Sequence, residues 1–306
     1  MAQDSDFHGL LVLDKPKGMT SRAVVNHVQR WFPPRTRIGH TGTLDPLATG
    51  VLVLCVGEAT RLVEYVQRMP KSYRARLRLG ARSDTDDAEG KITQLEQPGP
   101  PPDPIEVAHC LQQFVGAIAQ VPPAFSAAHT SGRRAYELAR RGKEVSLDPR
   151  RVTIYRIELL TYEYPHLEIE VDCGKGTYIR SLARDLGEKL GCGAYVEELR
   201  RARVGSFAAA RAVALESDVS TALSSLLPLA AAVAELPAVI LEEAALRALR
   251  QGQAVDLPSN PDQPAPPAAA TEMAIFNQAG LLAAIAILES GRTLHPTKVL
   301  KDPAQR

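Results

Sequence analysis

The spacing of apolar and polar positions along the chain of 306 residues predicts both strands and helices. Residues 73–79 alternate strictly, so Tyr73 shares one face with apolar side chains while three arginines share the other. The continuous apolar run Val51–Val56 is typical of a buried strand. Further strands are predicted at Leu10–Leu13, Val152–Leu160 and Leu167–Cys173. Because hairpin-like pairs outnumber strand–helix–strand units, we expect an α/β protein of the mixed α+β kind, with a mostly antiparallel or mixed central sheet.

Helix ends are marked by capping residues, glycines and prolines. Asp103 followed by Pro104 combines a cap with proline in the first turn. Pro33 and Pro34 stop one predicted helix, and Gly191 follows the end of another. The predicted helices of this part of the chain are about Ser21–Phe32, Pro104–Val115, Arg134–Arg141 and Thr177–Leu190.

The pattern restarts after residue 235. A short strand, a helix and two alternating runs follow, and they indicate a small β-rich module. The Pro/Ala-rich stretch 256–272 inside this module is typical of a long flexible loop. We therefore expect a large domain over residues 1–235 and a small one over 236–306. The elements of the small domain are predicted at Ala238–Leu241, Glu242–Gln251, Met273–Asn277 and Leu281–Leu288.

Charge is distributed unevenly, although the net charge is only +1. Residues 212–306 hold six basic and ten acidic residues, whereas 1–211 hold 30 basic and 25 acidic ones. The basic surplus concentrates in 61–82, with seven basic residues and one acidic, and in 133–156, with eight and three. Such clusters fit a polyanion partner. Taken alone, they are more often simply solvated faces.

The cysteines and the hydropathy of the chain indicate its cellular compartment and whether a zinc site or disulfides are expected. The four cysteines are widely spaced and form no CxxC pair, so neither a zinc site nor a disulfide framework is expected. The first residues, MAQDSDFHG, are polar and acidic, unlike a signal peptide. No apolar stretch reaches the about 18 residues that a membrane span needs. We expect a cytoplasmic protein that does not enter membranes.

The densest chemical signal is the glycine-rich segment Gly39–Gly50, which reads GHTGTLDPLATG. Its glycines permit tight turns, and Pro46 pushes Asp45 towards an extended conformation, so the acid is held in place just before a buried strand. A plain turn is the commoner meaning of Asp-Pro in such a loop. A phosphate-binding loop does not fit, because GxxxxGK[ST] is absent and CGKGT at 173–177 has the wrong spacing.

GHTGTLDPLATGVL closely resembles the signature of the bacterial tRNA pseudouridine-55 synthases, the TruB family. The resemblance covers about residues 8–210, and the C-terminal part is loosely similar to the PUA-type RNA-binding module of that family. It implies a pseudouridine-synthase fold with a small PUA-like C-terminal domain. The other family-like segments, in the same order, are Leu10–Ser21, Lys71–Gly90, Val121–Gly142, Cys173–Ala194 and Leu199–Arg203.

The resemblance also implies catalytic roles. Asp45 matches the nucleophilic aspartate, and Arg180 matches the arginine that pairs with it. Tyr73 matches the tyrosine that stacks on the target base and is placed to assist removal of the C5 proton. From the sequence alone, attack on the uracil ring and attack on the ribose C1′ remain alternatives. Such a carboxylate must stay ionised in a pocket that excludes water, which requires a cationic partner.

Other matched positions imply contacts with RNA. His40 matches the histidine that takes the place of the flipped nucleotide, and Tyr178 and Leu199 match residues that line the pocket. Lys15 belongs to the KPxG motif, which is expected to support the catalytic loop and which we also group with the RNA-binding positions. Candidates for phosphate contacts are Arg74, Arg76, Arg78, Arg133, Arg134, Arg140 and Arg141.

The resemblance thus implies an isomerase that converts uridine 55 in the T arm of tRNA to pseudouridine by base flipping. We expect no cofactor, no metal, tRNA as partner and a monomer. The main alternative is a tRNA-binding folding factor whose role does not depend on catalysis. A phosphotransferase and a guide-RNA-dependent relative of the same fold are less favoured.

Overall fold

The computed structural model describes residues 7–95, 100–126, 129–130, 133–134, 136, 147–257, 271–289 and 292–301. The strands in chain order are β1 (Gly9–Lys15), β2 (Ile38–His40), β3 (Thr49–Val56), β4 (Lys71–Leu79), β5 (Ala81–Ser83), β6 (Ile92–Gln94), β7 (Gly116–Gln120), β8 (His129–Thr130), β9 (Arg133–Arg134), β10 (Arg150–Glu163), β11 (His166–Cys173), β12 (Ala194–Val204), β13 (Phe207–Ala208), β14 (Val213–Ala214), β15 (Ala238–Ile240), β16 (Val255–Asp256), β17 (Thr271–Phe276), β18 (Leu282–Glu289) and β19 (Thr293–Val299). The α-helices are α1 (Ser21–Val28), α2 (Val63–Arg68), α3 (Pro104–Gln112), α4 (Ile179–Lys189), α5 (Val219–Ser224) and α6 (Glu243–Arg250). Short 3₁₀ segments cover Gln29–Trp31, Gly57–Leu62, Ala209–Arg211 and Leu229–Val233.

A mixed ten-stranded sheet forms the body of the molecule. Its order is β14-β1-β3-β12-β4-β11-β10-β7, with β2 on β3 and β13 on β12. The β1–β14 and β3–β12 pairs are parallel, and the other pairs of this sheet are antiparallel. The predicted α+β class with a mostly antiparallel, mixed central sheet is confirmed.

Helices α3 and α4 cover one face of β4 and β11. Asp103 caps α3 by accepting a hydrogen bond from the backbone N–H of Ile105 at 2.8 Å, with Pro104 in the first turn. Helix α4 turns Leu182 and Leu186, four residues apart, towards the sheet. The apolar face of β4 packs into this core, so the alternation predicted for 73–79 is confirmed.

Strand β3 is covered on both faces, which explains its continuous apolar sequence. Leu52 packs with α1, whose Val24 and Val28 are fully buried. Val53 points to the other side, towards α2 and the second sheet. A strand buried on both faces cannot alternate, so the apolar run Val51–Val56 follows.

A five-stranded sheet of order β15-β17-β18-β19-β16 occupies the C-terminal part. It packs directly on the main body, because Ala274, Ile285 and Leu300 share one hydrophobic cluster with Leu10 and Val53. This sheet begins at Ala238, and the predicted domain boundary at 235/236 stays a prediction. The β-rich character expected of this part is confirmed.

Several element bounds differ from those predicted. Helix α1 ends at Val28 and tightens into a 3₁₀ turn, and Phe32 before Pro33 is extended, as the residue preceding proline generally is. Helix α3 ends at Gln112 and α4 begins at Ile179. Strand β12 is not predicted, because two register shifts interrupt its alternation. Most of the predicted helix 134–141 and residues 258–270 lie outside the described residues.

Candidate active site

The loop that carries Asp45 joins β2 to β3 and is fixed by hydrogen bonds at several points. Both the backbone N–H and the hydroxyl of Thr41 donate to the carbonyl of Val53, at 3.0 and 3.2 Å. Ser21 Oγ donates to the carbonyl of Leu44 at 3.0 Å and accepts from its N–H at 2.8 Å. Gly50 has φ +99°, and a Cβ there would collide with the backbone of Arg201. The loop backbone is therefore rigidly placed.

Lys15 supports this loop from below. Its side chain is 0% exposed, and its ammonium group donates to the carbonyls of Pro16, Met19 and Pro46 at 2.8, 2.7 and 3.4 Å. Burial lowers the pKa of Lys15 to about 8, and the nearby Asp45 opposes this shift. The expectation that Lys15 binds RNA stays a prediction, and its burial does not favour it. Its other expected role, support of the loop, fits the contacts.

Asp45 meets Arg180 across 135 residues of sequence. Arg180 Nη2 donates to Asp45 Oδ1 at 3.0 Å, and Nε lies 3.0 Å from Oδ2. The guanidinium also donates to the carbonyls of Thr85 and Phe125 at 2.9 and 3.0 Å. The side chain of Arg180 is 4% exposed, whereas that of Asp45 is 33% exposed. The guanidinium is thus locked in place, and the carboxylate it holds remains open to a ligand.

Burial and ion pairing act in opposite directions on Asp45. Burial raises the pKa of Asp45, the Arg180 guanidinium and Lys15 oppose the rise, and the carboxylate of Asp87 adds to it. The carboxylate therefore depends on Arg180 for its negative charge. A charge stabilised by one fixed cation in a cavity is a strong candidate nucleophile.

A cavity of about 690 Å³ opens in front of Asp45. The predicted site residues Tyr73, Tyr178 and Leu199 line it together with Asp45 and Arg180. The side chain of Tyr73 is 9% exposed, and its burial raises the pKa of the phenol, while Arg201 opposes the shift. Strands β4 and β12, the loop before β3 and the start of α4 thus converge on one volume.

His40 is the last residue of β2 and is half-buried. Burial and the neighbouring guanidinium groups of Arg201 and Arg22 lower its pKa, so the imidazole is held neutral. Its Nδ1 is buried and has no hydrogen-bond partner among the described residues. His40 does not belong to the lining of the cavity, which begins one residue later at Thr41.

Two site residues were not predicted. Arg201 is 3% exposed and donates from Nε to the carbonyl of Val51 at 2.7 Å and from Nη2 to that of Gly42 at 3.1 Å. Asp87 is also 3% exposed, and its Oδ2 lies 3.4 Å from Arg180 Nη1 on the side away from Asp45. Both lie inside the family-like segments, and Arg201 follows the pocket residue Leu199 by two positions on the same strand.

The arginines of β4 that were predicted to contact phosphates lie on the face opposite Tyr73. Arg74 pairs with Glu168 at 2.7 Å, and Arg76 and Arg78 lie 3.4 and 3.9 Å from Glu197. This face points away from the cavity, and pairing with Glu168 and Glu197 does not favour phosphate contacts, so the expectation for these three arginines stays a prediction. For Arg133 and Arg134 the structure describes only a backbone pairing of β9 with β8, and Arg140 and Arg141 lie outside the described residues.

Neither a metal site nor a membrane-spanning helix is found among the described residues. No group of three or more His, Cys, Asp or Glu side chains is arranged to hold a metal ion within the described ranges. No helix within those ranges is long and apolar enough to cross a membrane.

Comparison with known proteins gives consistent matches along the chain. Residues 30–179 match the family model of the TruB family pseudouridylate synthase N-terminal domain, and residues 180–233 match that of the tRNA pseudouridylate synthase B C-terminal domain. The tRNA pseudouridine synthase B of Dehalococcoides mccartyi is 41% identical over 297 residues, which is 95% of this chain and 96% of the relative. That of Nitrosococcus oceani is 43% identical over 268 residues, covering 85% and 86%.

Solved structures share the fold. A chain of an H/ACA RNP bound to a substrate RNA containing 2′-deoxyuridine superposes with a TM-score of 0.73 at 26% identity, over 96% of this chain and 86% of that chain. A chain of a Cbf5-Nop10-Gar1 complex gives a TM-score of 0.72 at 26% identity, over 96% and 84%. The likeness extends over both sheets, since it covers nearly the whole chain.

Proposed function

Since this chain belongs to the TruB family of pseudouridylate synthases, we propose that it isomerises uridine 55 in the T arm of tRNA to pseudouridine, with Asp45 as nucleophile. The chain is an isomerase of the tRNA pseudouridine synthase kind, as its relatives are named. The position in tRNA and the roles of individual residues are our proposal.

The observation that carries the proposal is the pairing of a partly exposed carboxylate with a buried guanidinium at the bottom of a cavity. Arg180 holds both oxygens of Asp45 at 3.0 Å and fixes their direction. The side chain of Asp45 nevertheless keeps 33% of its surface exposed. This arrangement supplies a charged, oriented nucleophile without any rearrangement at the moment of reaction.

The reaction conserves all atoms of the nucleoside. Asp45 attacks either the uracil ring or C1′, and the C1′–N1 bond breaks. The base then turns, a C1′–C5 bond forms, and the bond to Asp45 breaks, which restores the carboxylate. The C5 proton is then lost and N1 gains a proton, so no external reactant is consumed. The raised pKa of Tyr73 keeps its phenol neutral, which favours contact with the base through the ring face. A carboxylate is a better acceptor for the C5 proton than a neutral phenol, and Asp45 is within the same cavity.

The position of Asp45 supports base flipping. The carboxylate lies inside the cavity beside Arg180, so a base stacked in an RNA helix cannot reach it. The cavity of about 690 Å³ has room for an extruded nucleotide between Tyr73, Tyr178 and Leu199. His40, held neutral at the end of β2, is our candidate for the group that takes the vacated place in the stack.

The basic residue best placed for RNA is Lys175, which is exposed and lines the same cavity. We propose that it meets the backbone of the extruded nucleotide, whereas Arg133 and Arg134 stay predictions. The T arm as the target rests on the family, because the lining of the cavity does not specify a position in tRNA. A cytoplasmic monomer also stays a prediction.

The experiment is to incubate an unmodified tRNA transcript with the native protein or with Asp45→Asn and to map pseudouridine by chemical labelling and primer extension. We expect a single stop in the T loop with the native protein and none with the variant, while both bind the tRNA. Stops elsewhere would overturn the proposed position. Equal binding without a stop from either protein would favour the folding-factor alternative.

A further inference from the structure

Gln120 is a buried polar residue whose side chain hydrogen-bonds to the backbone of Tyr178, two residues before Arg180. It ends β7 and is 1% exposed. Its Oε1 accepts a hydrogen bond from the backbone N–H of Tyr178 at 2.8 Å, and its Nε2 donates to the carbonyl of Tyr178 at 3.0 Å. One side chain thus satisfies both backbone groups of a single residue 58 positions away in the sequence.

Tyr178 is the residue from which α4 begins. Its backbone is extended, with φ −105° and ψ 115°, and its own side chain does not cap the helix. The same carbonyl accepts the first helical hydrogen bond, from the N–H of Leu182 at 3.1 Å. Because the groups on both sides of its Cα are held, the direction of the Tyr178 side chain into the cavity is fixed.

Val121, which follows Gln120, also forms hydrogen bonds with the start of α4. The carbonyl of Val121 accepts from Ser181 Oγ at 2.8 Å and from Arg184 Nη2 at 2.9 Å. Residues 120 and 121 therefore hold the first turns of α4 through four hydrogen bonds, on both sides of Arg180. A shift of this helix start would move Arg180, and with it the carboxylate of Asp45.

We propose that Gln120 is a positioning residue for catalysis, which sets Tyr178 and the α4 start in the geometry that the Asp45–Arg180 pair requires. This inference rests on the proposed function. A neutral carboxamide supplies both the acceptor and the donor that the backbone of Tyr178 requires, and we call this pair of hydrogen bonds the fork. An ionised carboxylate of the same shape can accept from the N–H of Tyr178 but would face its carbonyl oxygen without a proton to donate.

This chemistry makes Gln120→Glu an informative variant. At high pH its carboxylate repels the Tyr178 carbonyl, whereas the protonated acid restores one donor and one acceptor in the same fork. Burial raises the pKa of such a carboxyl, so protonation occurs at an experimentally accessible pH. A role in stability alone would not make the activity of a folded variant recover on acidification.

The experiment measures single-turnover pseudouridine formation in tRNA between pH 5.5 and 8 for the native protein and Gln120→Glu, below the melting temperature of both. We expect the rate constant of the variant to be lower by about 10- to 100-fold at pH 8, with the tRNA Kd within about twofold of native. The ratio of variant to native rate should rise by at least about fivefold at pH 5.5. Because the ionisation of Asp45 affects both proteins, dividing the variant rate constant by the native one at each pH cancels this shared pH dependence.

The matched control is Gln112→Glu, since Gln112 donates one hydrogen bond from α3 to the carbonyl of Ile157 at 3.1 Å, away from the cavity. Its ratio of variant to native rate constant should stay near one at every pH.

A Gln120→Glu ratio near one at pH 8, or a low ratio that does not change with pH, would overturn the inference. If that variant does not fold, Gln120→Met must show a low ratio at all pH values, and a native rate would overturn it. Failure of the native protein to form pseudouridine would instead overturn the proposed function.

Discussion

The two faces of strand β4 use the same kind of residue in opposite ways. On the outer face, Arg74 and Arg76 are 61% and 41% exposed and pair with glutamates of neighbouring strands. On the cavity side, Tyr73 lies near Arg180 and Arg201, which are buried and donate mainly to backbone carbonyls. Both environments are rich in arginine, yet only the cavity side contains Asp45, the proposed nucleophile.

The difference shows that the structural role of an arginine depends on whether its guanidinium is buried or exposed, and not on the number of arginines in the segment. Exposed pairs such as Arg74–Glu168 contribute about 0–1 kcal/mol each to the free energy of unfolding. A buried guanidinium is unfavourable unless all its donors are used, so each one fixes several backbone segments at once. Arg180 joins the Asp45 loop, Thr85 and Phe125 in this way.

The largest effect is expected from Arg180→Met. Removing the cation leaves Asp45 and the buried Asp87 without their shared partner, so we expect the pKa of Asp45 to rise further and the single-turnover rate to fall by about 10³-fold or more at pH 7. The cost in the free energy of unfolding should be about 3–5 kcal/mol, measured by denaturant titration. A rate within tenfold of native would show that the pair is not needed.

A smaller loss is expected from Arg201→Met. It removes the hydrogen bonds to Val51 and Gly42 that hold the two ends of the Asp45 loop, and the rate should fall by about 10- to 100-fold. The control is Arg203→Met on the same strand, since the side chain of Arg203 is 51% exposed and pairs with Asp172 on the outer face. Equal losses in the two variants, measured by single turnover, would erase the distinction between the faces.

The pH dependence of the native protein tests the ionisation of Asp45. The reactive form is the carboxylate, and burial raises the pKa above the ordinary value of 3.8. Activity must therefore fall as the pH drops through this raised pKa, by about tenfold per pH unit below it. The measurement is the single-turnover rate of the folded protein against pH. An acid limb at or below pH 3.8 would contradict the burial of the group.

The smallest effect is expected on the outer face. Arg76→Gln should leave the tRNA Kd within about twofold of native and the salt dependence of binding unchanged, because Arg76 lies 3.4 Å from Glu197 on the face opposite the cavity. Filter binding at several salt concentrations measures both quantities. A decrease of about one in the slope of log Kd against log salt concentration would mean that Arg76 contacts a phosphate after all.

The sequence predicts regular elements and the residues that line the cavity better than it predicts the contacts that hold them in place. Alternation reveals β4, and the continuous apolar run reveals β3, because one strand has an exposed face and the other has none. Strand β12 is missed because its two bulges break the period of two. The resemblance locates Asp45, Tyr73 and Arg180, and the structure brings these three positions together at one cavity.

Residues whose contacts lie far away in the sequence are harder to predict. Arg201, Gln120 and Asp87 find their partners in distant segments, and no local spacing signals such contacts. For Arg74, Arg76 and Arg78, the basic cluster in the sequence does not show the glutamates that lie beside it in the sheet. Charge patterns predict a surface only when the neighbouring strands are known.

The most direct test of the account compares two carboxylates that contact the same guanidinium. Asp45 lies in the cavity on one side of Arg180, and Asp87 lies buried on the other. The measurement is single-turnover pseudouridine formation in tRNA by Asp45→Asn and Asp87→Asn, with enzyme in excess. We predict no product from Asp45→Asn and complete conversion by Asp87→Asn at a rate about 10- to 100-fold below native, because only Asp45 reacts. Product from Asp45→Asn at a rate equal to or above that of Asp87→Asn would contradict the assignment of Asp45 as the nucleophile.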